Sequence, residues 1–134
     1  MALVWLVVVA NQSPTVKTQD IRTLRTDGRV YSLEIADTAM AQQKGLSGRQ
    51  NLAPDGGMIF VFEGVTDRCF WMKDMNFPID IIWVDGWRVV TRVMQDVRPE
   101  TYPESYCAPA KHVIELKAGE ADKAGIAAGK QLDF

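Results

Sequence analysis

From Ile21 onward apolar and polar residues alternate at the two-residue period of a half-buried strand, and the alternation pauses at Asp27-Gly28. Tyr31, Leu33 and Ile35 then fall on one face, so residues 21–26 and 29–36 read as a hairpin about a tight turn. The period changes at Asp37-Thr38, which can cap a short helix over Ala39–Lys44 that Gly45 ends. Beyond a Gly-rich connection, apolar runs at 57–63, 69–73, 79–85, 87–95 and 111–117 predict further strands, with Asp85-Gly86 as a second tight turn. Residues 118–124 carry strong helix formers up to Gly125, and 126–134 can supply a closing strand. The pattern is that of a mainly β domain.

The amino terminus breaks this pattern. Residues 1–10 are apolar throughout and are followed by Asn11-Gln12-Ser13-Pro14. Ten residues are too few to span a bilayer, but they match the apolar core of a signal peptide. The basic stretch that normally precedes such a core is missing, as a start codon assigned too late would explain. A first β-strand is the alternative. The expectation is that 1–14 are a leader or anchor remnant, that 15–134 form one domain, and that deleting 1–10 leaves the fold intact. The protein would then be extracytoplasmic: periplasmic, secreted, or held at the membrane only through that N-terminal anchor.

A length of 134 residues allows one domain with a real core, and the candidate linkers at 10–20 and 95–109 are too short to separate a second. The formal net charge is −2, with Lys and Arg scattered among Asp and Glu. No basic stripe is available for a phosphate backbone, so nucleic acid is not an expected partner. Cys69 and Cys107 suit an oxidising compartment if they meet in space; a small buried thiol at Cys69 is the other reading. No Cys-x-x-Cys occurs and His112 is the sole histidine, so no metal or other cofactor is expected.

Charged residues also stand inside an apolar run. Lys73, Asp74 and Asp80 interrupt the stretch from Phe70 to Asp85, where a charge needs a partner or a ligand to persist. Asp80 shares a face with Ile82 and Val84, opposite Ile79, Ile81 and Trp83, so it is drawn inward. If 74–78 link an antiparallel pair, Lys73 and Asp80 lie at its mouth, and Pro78 suits a strand's first residue. Arg49, after a Gly-rich turn, can join them. One reading is a pocket in which Arg49, Lys73, Asp74 and Asp80 bind a small polar or anionic ligand. The other, preferred for Lys73 with Asp80, is a structural ion pair.

Catalysis is less well supported. His112 alternates with Ile114 and Leu116 as a partly buried strand histidine would, and Cys107 as a nucleophile lacks an orienting third group. Trp71, Phe77, Trp83, Trp87, Tyr102 and Tyr106 could offer platforms for a carbohydrate. Most sit at strand spacing and read as core, leaving Trp87, Tyr102 and Tyr106 as the surface candidates.

Several blocks resemble one family. They are Gly45-Leu46 with Arg49, Gly57-Met58-Ile59-Phe60-Val61-Phe62, Phe70-Trp71-Met72-Lys73-Asp74, Pro78-Ile79-Asp80, and Pro109-Ala110-Lys111-His112-Val113-Ile114-Glu115-Leu116. In order and spacing over 30–134 they are similar to the bacterial and archaeal proteins grouped as domain of unknown function 192, which are often exported or membrane-anchored. Two positions depart: the family usually has Asn-Thr where Asp74-Met75 stand, and Gly-Asp where Gly129-Lys130 stand. The resemblance implies a single-domain β-barrel or jelly-roll-like sandwich with one or two short helices, and it brings no established activity. The reading adopted is an exported small-ligand or accessory binding module of the cell envelope. The alternative is a hydrolase-type enzyme with a pocket around Arg49, Lys73 and Asp80.

Overall fold

The structure, a computed structural model, describes residues 20–134. The apolar run at 1–10, and the leader read there, lie outside the described residues. The strands are β1 (Ile21–Thr26), β2 (Arg29–Ala36), β3 (Gly56–Trp71), β4 (Ile79–Val84), β5 (Val90–Val97) and β6 (Ser105–Lys117), with two short helices, α1 (Ala39–Lys44) and α2 (Glu120–Lys123). They form one six-stranded sheet in the order β1-β2-β3-β6-β4-β5, which is not closed into a barrel. Only β2 and β3 run parallel among these pairs.

The sheet wraps because β3 and β6 are long and bent. They pair from Gly57 with Leu116 to Val61 with His112, lose register between Val61 and Thr66, and pair again from Thr66 with Ala110 to Trp71 with Ser105. An irregularity of this kind bends a ribbon and increases its twist. Beyond it the ribbon folds across one sheet face, where Trp83 Nε1 donates to the Arg68 carbonyl (2.7 Å) and Arg92 Nη1 to the Cys107 carbonyl (2.8 Å). The Phe70 ring meets Trp83 edge to face, with centroids 6.3 Å apart.

Strand parity divides the core in two. On one face Leu24, Leu33, Ile59, Ile82, Ile114 and Leu116 pack under α2 and the C-terminal residues Ile126, Leu132 and Phe134. On the other, Met58, Phe60, Ile79, Ile81, Trp83 and Val113 pack under Leu46, Leu52 and Met72 from the connections around α1 and after β3. Covered from both sides, β4 is buried at every position. Gly57 is where the sheet is tightest, since a Cβ there would come within 2.6 Å of the Glu115 carbonyl oxygen.

Three expectations change. The strand expected at 69–73 is the end of β3, and β6 lies between β3 and β4, so 74–78 do not link an antiparallel pair. The run at 111–117 begins at Ser105, within what reads as a Pro-bearing linker, because the long β3 provides a partner for it. In place of a closing strand, 126–134 make isolated bridges, Arg25 with Asp133 and Val89 with Gln131.

Cys69 and Cys107 face each other in the β3–β6 register and form a disulfide; both are exposed, not buried thiols. The bond joins residues 38 apart in sequence. A crosslink closing a loop of that size stabilises mainly by restricting the unfolded chain, here by about 4 kcal/mol. Reduction is expected to lower the melting temperature by roughly 15 °C. Two titratable thiols in the untreated native protein, with melting indifferent to reductant, would refute it.

Candidate functional site

On the face that the β3–β6 ribbon crosses, packing leaves a cavity of about 400 Å³. Phe60 and Glu115 lie on its sheet side, Asp67 to Trp71 of the bent ribbon form a wall, and α1 with Gly45, Leu46 and Ser47 forms the roof. Local sequence fixes that roof. The Thr38 hydroxyl accepts from the Ala41 N–H (3.2 Å) as the helix cap, and Gln42 Nε2 donates to the Val61 (2.8 Å) and Ala36 (3.2 Å) carbonyls, tying α1 to the sheet. Gly45 has a φ of 49° and passes so near Phe60 that a Cβ would sit 3.2 Å from its ring. The roof is tied to the connection after β3 by the Ser47 hydroxyl to the Lys73 carbonyl (3.1 Å), the Gly48 N–H to the Asp74 carbonyl (2.9 Å) and Asn76 Nδ2 to the Arg49 carbonyl (2.9 Å).

Glu115 is the unusual member. Cα partners across the sheet run Glu34, Met58, Glu115, Ile81, so the Glu115 carboxyl group stands between two apolar side chains, with Glu34 at the end of the row. Only 6% of the residue is exposed, and its Oε2 is buried with no hydrogen-bond partner. The cation nearest in influence, Arg49, forms its ion pair with Glu34. Burial therefore pushes the Glu115 carboxyl up to about 8, against a smaller downward pull from Arg49. A buried, unpaired acid beside a cavity, with its carboxyl pushed up toward neutrality, is a candidate functional group. The sequence reading did not single it out. The criterion that selected Asp80, a charge within a short apolar run, applies equally to Glu115 between Ile114 and Leu116.

Of the four residues expected to share a site, the hydrogen-bonded connections after α1 and β3 bring Arg49, Lys73 and Asp74 near one another, while Asp80 is held elsewhere. Asp80 is fully buried and saturated: Oδ1 accepts the Asp96 N–H (2.8 Å), and Oδ2 accepts the Gly119 (3.0 Å) and Ala121 (2.9 Å) N–H groups. It anchors the start of α2 and the end of β5. Lys73 is exposed, with its ammonium 5.8 Å from the centroid of the Trp71 ring, and no ion pair joins it to Asp80. The expected pair fails because β6 separates the two strands that were to carry it. Asp74 is exposed with φ 57°, a left-handed position that Asn and Asp tolerate better than most residues. Arg49 borders the site through its charge, but its guanidinium is held by Glu34.

His112 lies on the opposite sheet face, 8% exposed and edge to face with Phe134 at 5.1 Å. Burial, with repulsion from Arg22, Lys111 and Arg88, lowers it to about 4, so it is neutral near pH 7 and belongs to the core. Cys107, being in the disulfide, is no nucleophile. Of the aromatic surface candidates, Tyr102 packs on Trp71 at 5.3 Å, Trp87 stands 81% exposed in the turn after β4, and Tyr106 packs against the core. No ring contact joins these three among the described residues. Nor do the described residues contain a cluster of three or more His, Cys, Asp or Glu placed to hold a metal, or a helix long and apolar enough to cross a membrane.

Two solved structures share this architecture. A protein of unknown function from Novosphingobium aromaticivorans is 30% identical, with a TM-score of 0.77, covering 90% of this chain and 89% of its own. A protein described as a candidate transcription regulator from Sinorhizobium meliloti is 25% identical, with a TM-score of 0.75, covering 83% of this chain and 89% of its own. No curated protein matches the sequence. With its profile matched over residues 22–134, the family is plain: the chain belongs to DUF192, described as Uncharacterized ACR, COG1430.

Proposed function

We propose that this protein is an exported binding module whose site is the cavity between α1, the bent β3–β6 ribbon and the sheet. The carrying observation is Glu115, an acid buried in the cavity wall without a partner. Such a group is retained against its desolvation cost when a ligand completes it. The cavity volume suits a small organic molecule, with Phe60, Phe62, Phe70 and Trp71 to enclose an apolar body and Glu115 to meet a polar end. Export draws support from the apolar run at 1–10 and from an exposed disulfide, which persists in oxidising compartments.

Binding is favoured over hydrolysis because the cavity offers no activated nucleophile: the Ser47 hydroxyl donates to a carbonyl and Cys69 is oxidised. A DNA-binding role, which the description of the Sinorhizobium protein would suggest, lacks a basic stripe to support it.

A thermal-shift screen over sugars, nucleotides, carboxylates, amines and divalent metals tests the reading, since any ligand preferring the native state raises its apparent stability. At least one small organic class is expected to raise the melting temperature. Gln43→Trp, which places a bulky ring at the mouth from the exposed side of α1, is expected to abolish that shift. Shifts that survive Gln43→Trp, or none across the screen, would count against the cavity.

A further inference from the structure

The chemistry of the cavity wall restricts what can fill it. Phe60 and Phe70 meet edge to face with centroids 4.9 Å apart, and Phe62 and Trp71 line the same space. Aromatic faces carry partial negative charge and attract cations. One of these rings already holds one, since the Arg68 guanidinium lies 4.1 Å from the Phe62 centroid. Arg68 turns Nη2 to the Gly64 carbonyl (2.9 Å) and Nε to the Ala110 carbonyl (3.4 Å), and no ion pair joins it to Glu115. Arg49 is likewise bound to Glu34. Lys44, the remaining cation of the lining, is exposed and pairs with no carboxylate among the described residues, so no cation of the wall meets the Glu115 carboxyl group.

We infer that the ligand is an organic cation, an ammonium or guanidinium carried on an apolar or aromatic body. Its charge sits against Glu115 and its body lies among Phe60, Phe70 and Trp71. The inference rests on the cavity being a ligand site, as proposed above, and names the chemical class it takes. The charged groups around Glu115 are Arg49 of the roof connection, Glu34 of β2, Lys44 of α1, and Asp67 and Arg68 of β3; Lys73 and Asp74 lie on the exposed connection beyond. Arg49 and Glu34 cancel and Asp67 offsets Arg68, which leaves Lys44 at the exposed end of α1, so only ionisation of Glu115 gives the wall a negative charge for a cation to meet. An anion would meet the π faces and, once Glu115 ionises, a like charge.

The test compares three molecules of nearly one shape, 2-phenylethylammonium, 2-phenylethanol and 3-phenylpropanoate, by calorimetry with the oxidised full chain and with Glu115→Gln. The ammonium is expected to bind at least tenfold tighter than the alcohol and to lose that advantage in Glu115→Gln. Because the acid titrates near 8, its affinity for the unmodified protein is expected to fall on the order of fifty- to hundredfold from pH 8.5 to pH 6. Equal affinity for ammonium and alcohol, or tighter binding of the anion, overturns the cationic class while the cavity stands as a ligand site. If the ammonium keeps its advantage in Glu115→Gln, or its affinity ignores pH, Glu115 is not its partner and the inference fails. Binding by none of the three, together with a screen in which no compound responds to Gln43→Trp, removes both the inference and the cavity reading.

Discussion

Asp80→Ala is expected to destabilise the protein by about 5 kcal/mol, because it removes three hydrogen bonds to a charged acceptor and leaves three backbone N–H groups without partners. Two of those N–H groups, of Gly119 and Ala121, open α2, a four-residue helix too short to hold itself together. The helix brings Ala121 and Ala124 onto the core, and its Glu120 side chain takes hydrogen bonds from Tyr31 (2.9 Å) and Arg29 (3.2 Å). Losing Asp80 therefore loosens one whole end of the first core. Asp80→Asn, with an amide donor facing N–H donors, should lose about 3 kcal/mol. Lys73→Met should change stability by less than about 0.5 kcal/mol, and the double variant Lys73→Met with Asp80→Asn should be additive. Urea denaturation of the four chains measures this. A costly Lys73→Met, partly rescued in the double variant, would instead restore the ion pair suggested by the sequence.

Glu115→Gln is expected to stabilise the protein in proportion to pH. The folded-state value of Glu115, about 8, lies above the ordinary 4.5, so the native state holds a proton that the unfolded chain releases. The favourable contribution of that proton is complete below pH 4.5, declines as pH rises, and is gone above pH 8. Glutamine imitates the protonated form at every pH. The variant should thus match the parent near pH 4 and exceed it by roughly 4 kcal/mol at pH 8.5, at 1.36 kcal/mol per pKa unit. A residue kept for stability would show the opposite sign. Stability gained by removing a side chain is the mark of one retained for another purpose.

Much of the fold was legible because local signals decide it. The hairpin at Asp27-Gly28, the Thr38 cap and Gly45 stop of α1, and the apolar strand β4 depend on turn chemistry and periodicity. What was not legible depends on pairing at a distance. Nothing near Lys73 reveals that β6, more than thirty residues later, inserts between β3 and β4, and that insertion separates Lys73 from Asp80. Residues 105–110 read as linker because Pro109 and their polar neighbours weaken the strand pattern, yet the second half of β3 fixes them as strand. Asp80 was identified as a buried charge, but its partners are backbone N–H groups, which no side-chain pattern can report. Glu115 carried the same signal within Val113 to Leu116, but its parity with Lys111 and Lys117 reads as solvent-facing until other elements cover that face. The disulfide was open in the sequence because Cys69 and Cys107 meet only through the β3–β6 register.

The most direct measurement is the titration of the Glu115 side-chain carboxyl carbon by NMR, in the free protein and with saturating 2-phenylethylammonium. Expected is a midpoint near 8 in the free protein that moves down by at least about two units when the cation is bound, as its charge replaces the missing partner. A midpoint near 4.5 in the free protein would mean that Glu115 is already solvated or paired. A high midpoint unmoved by the cation would leave it a buried acid that serves no ligand of this class.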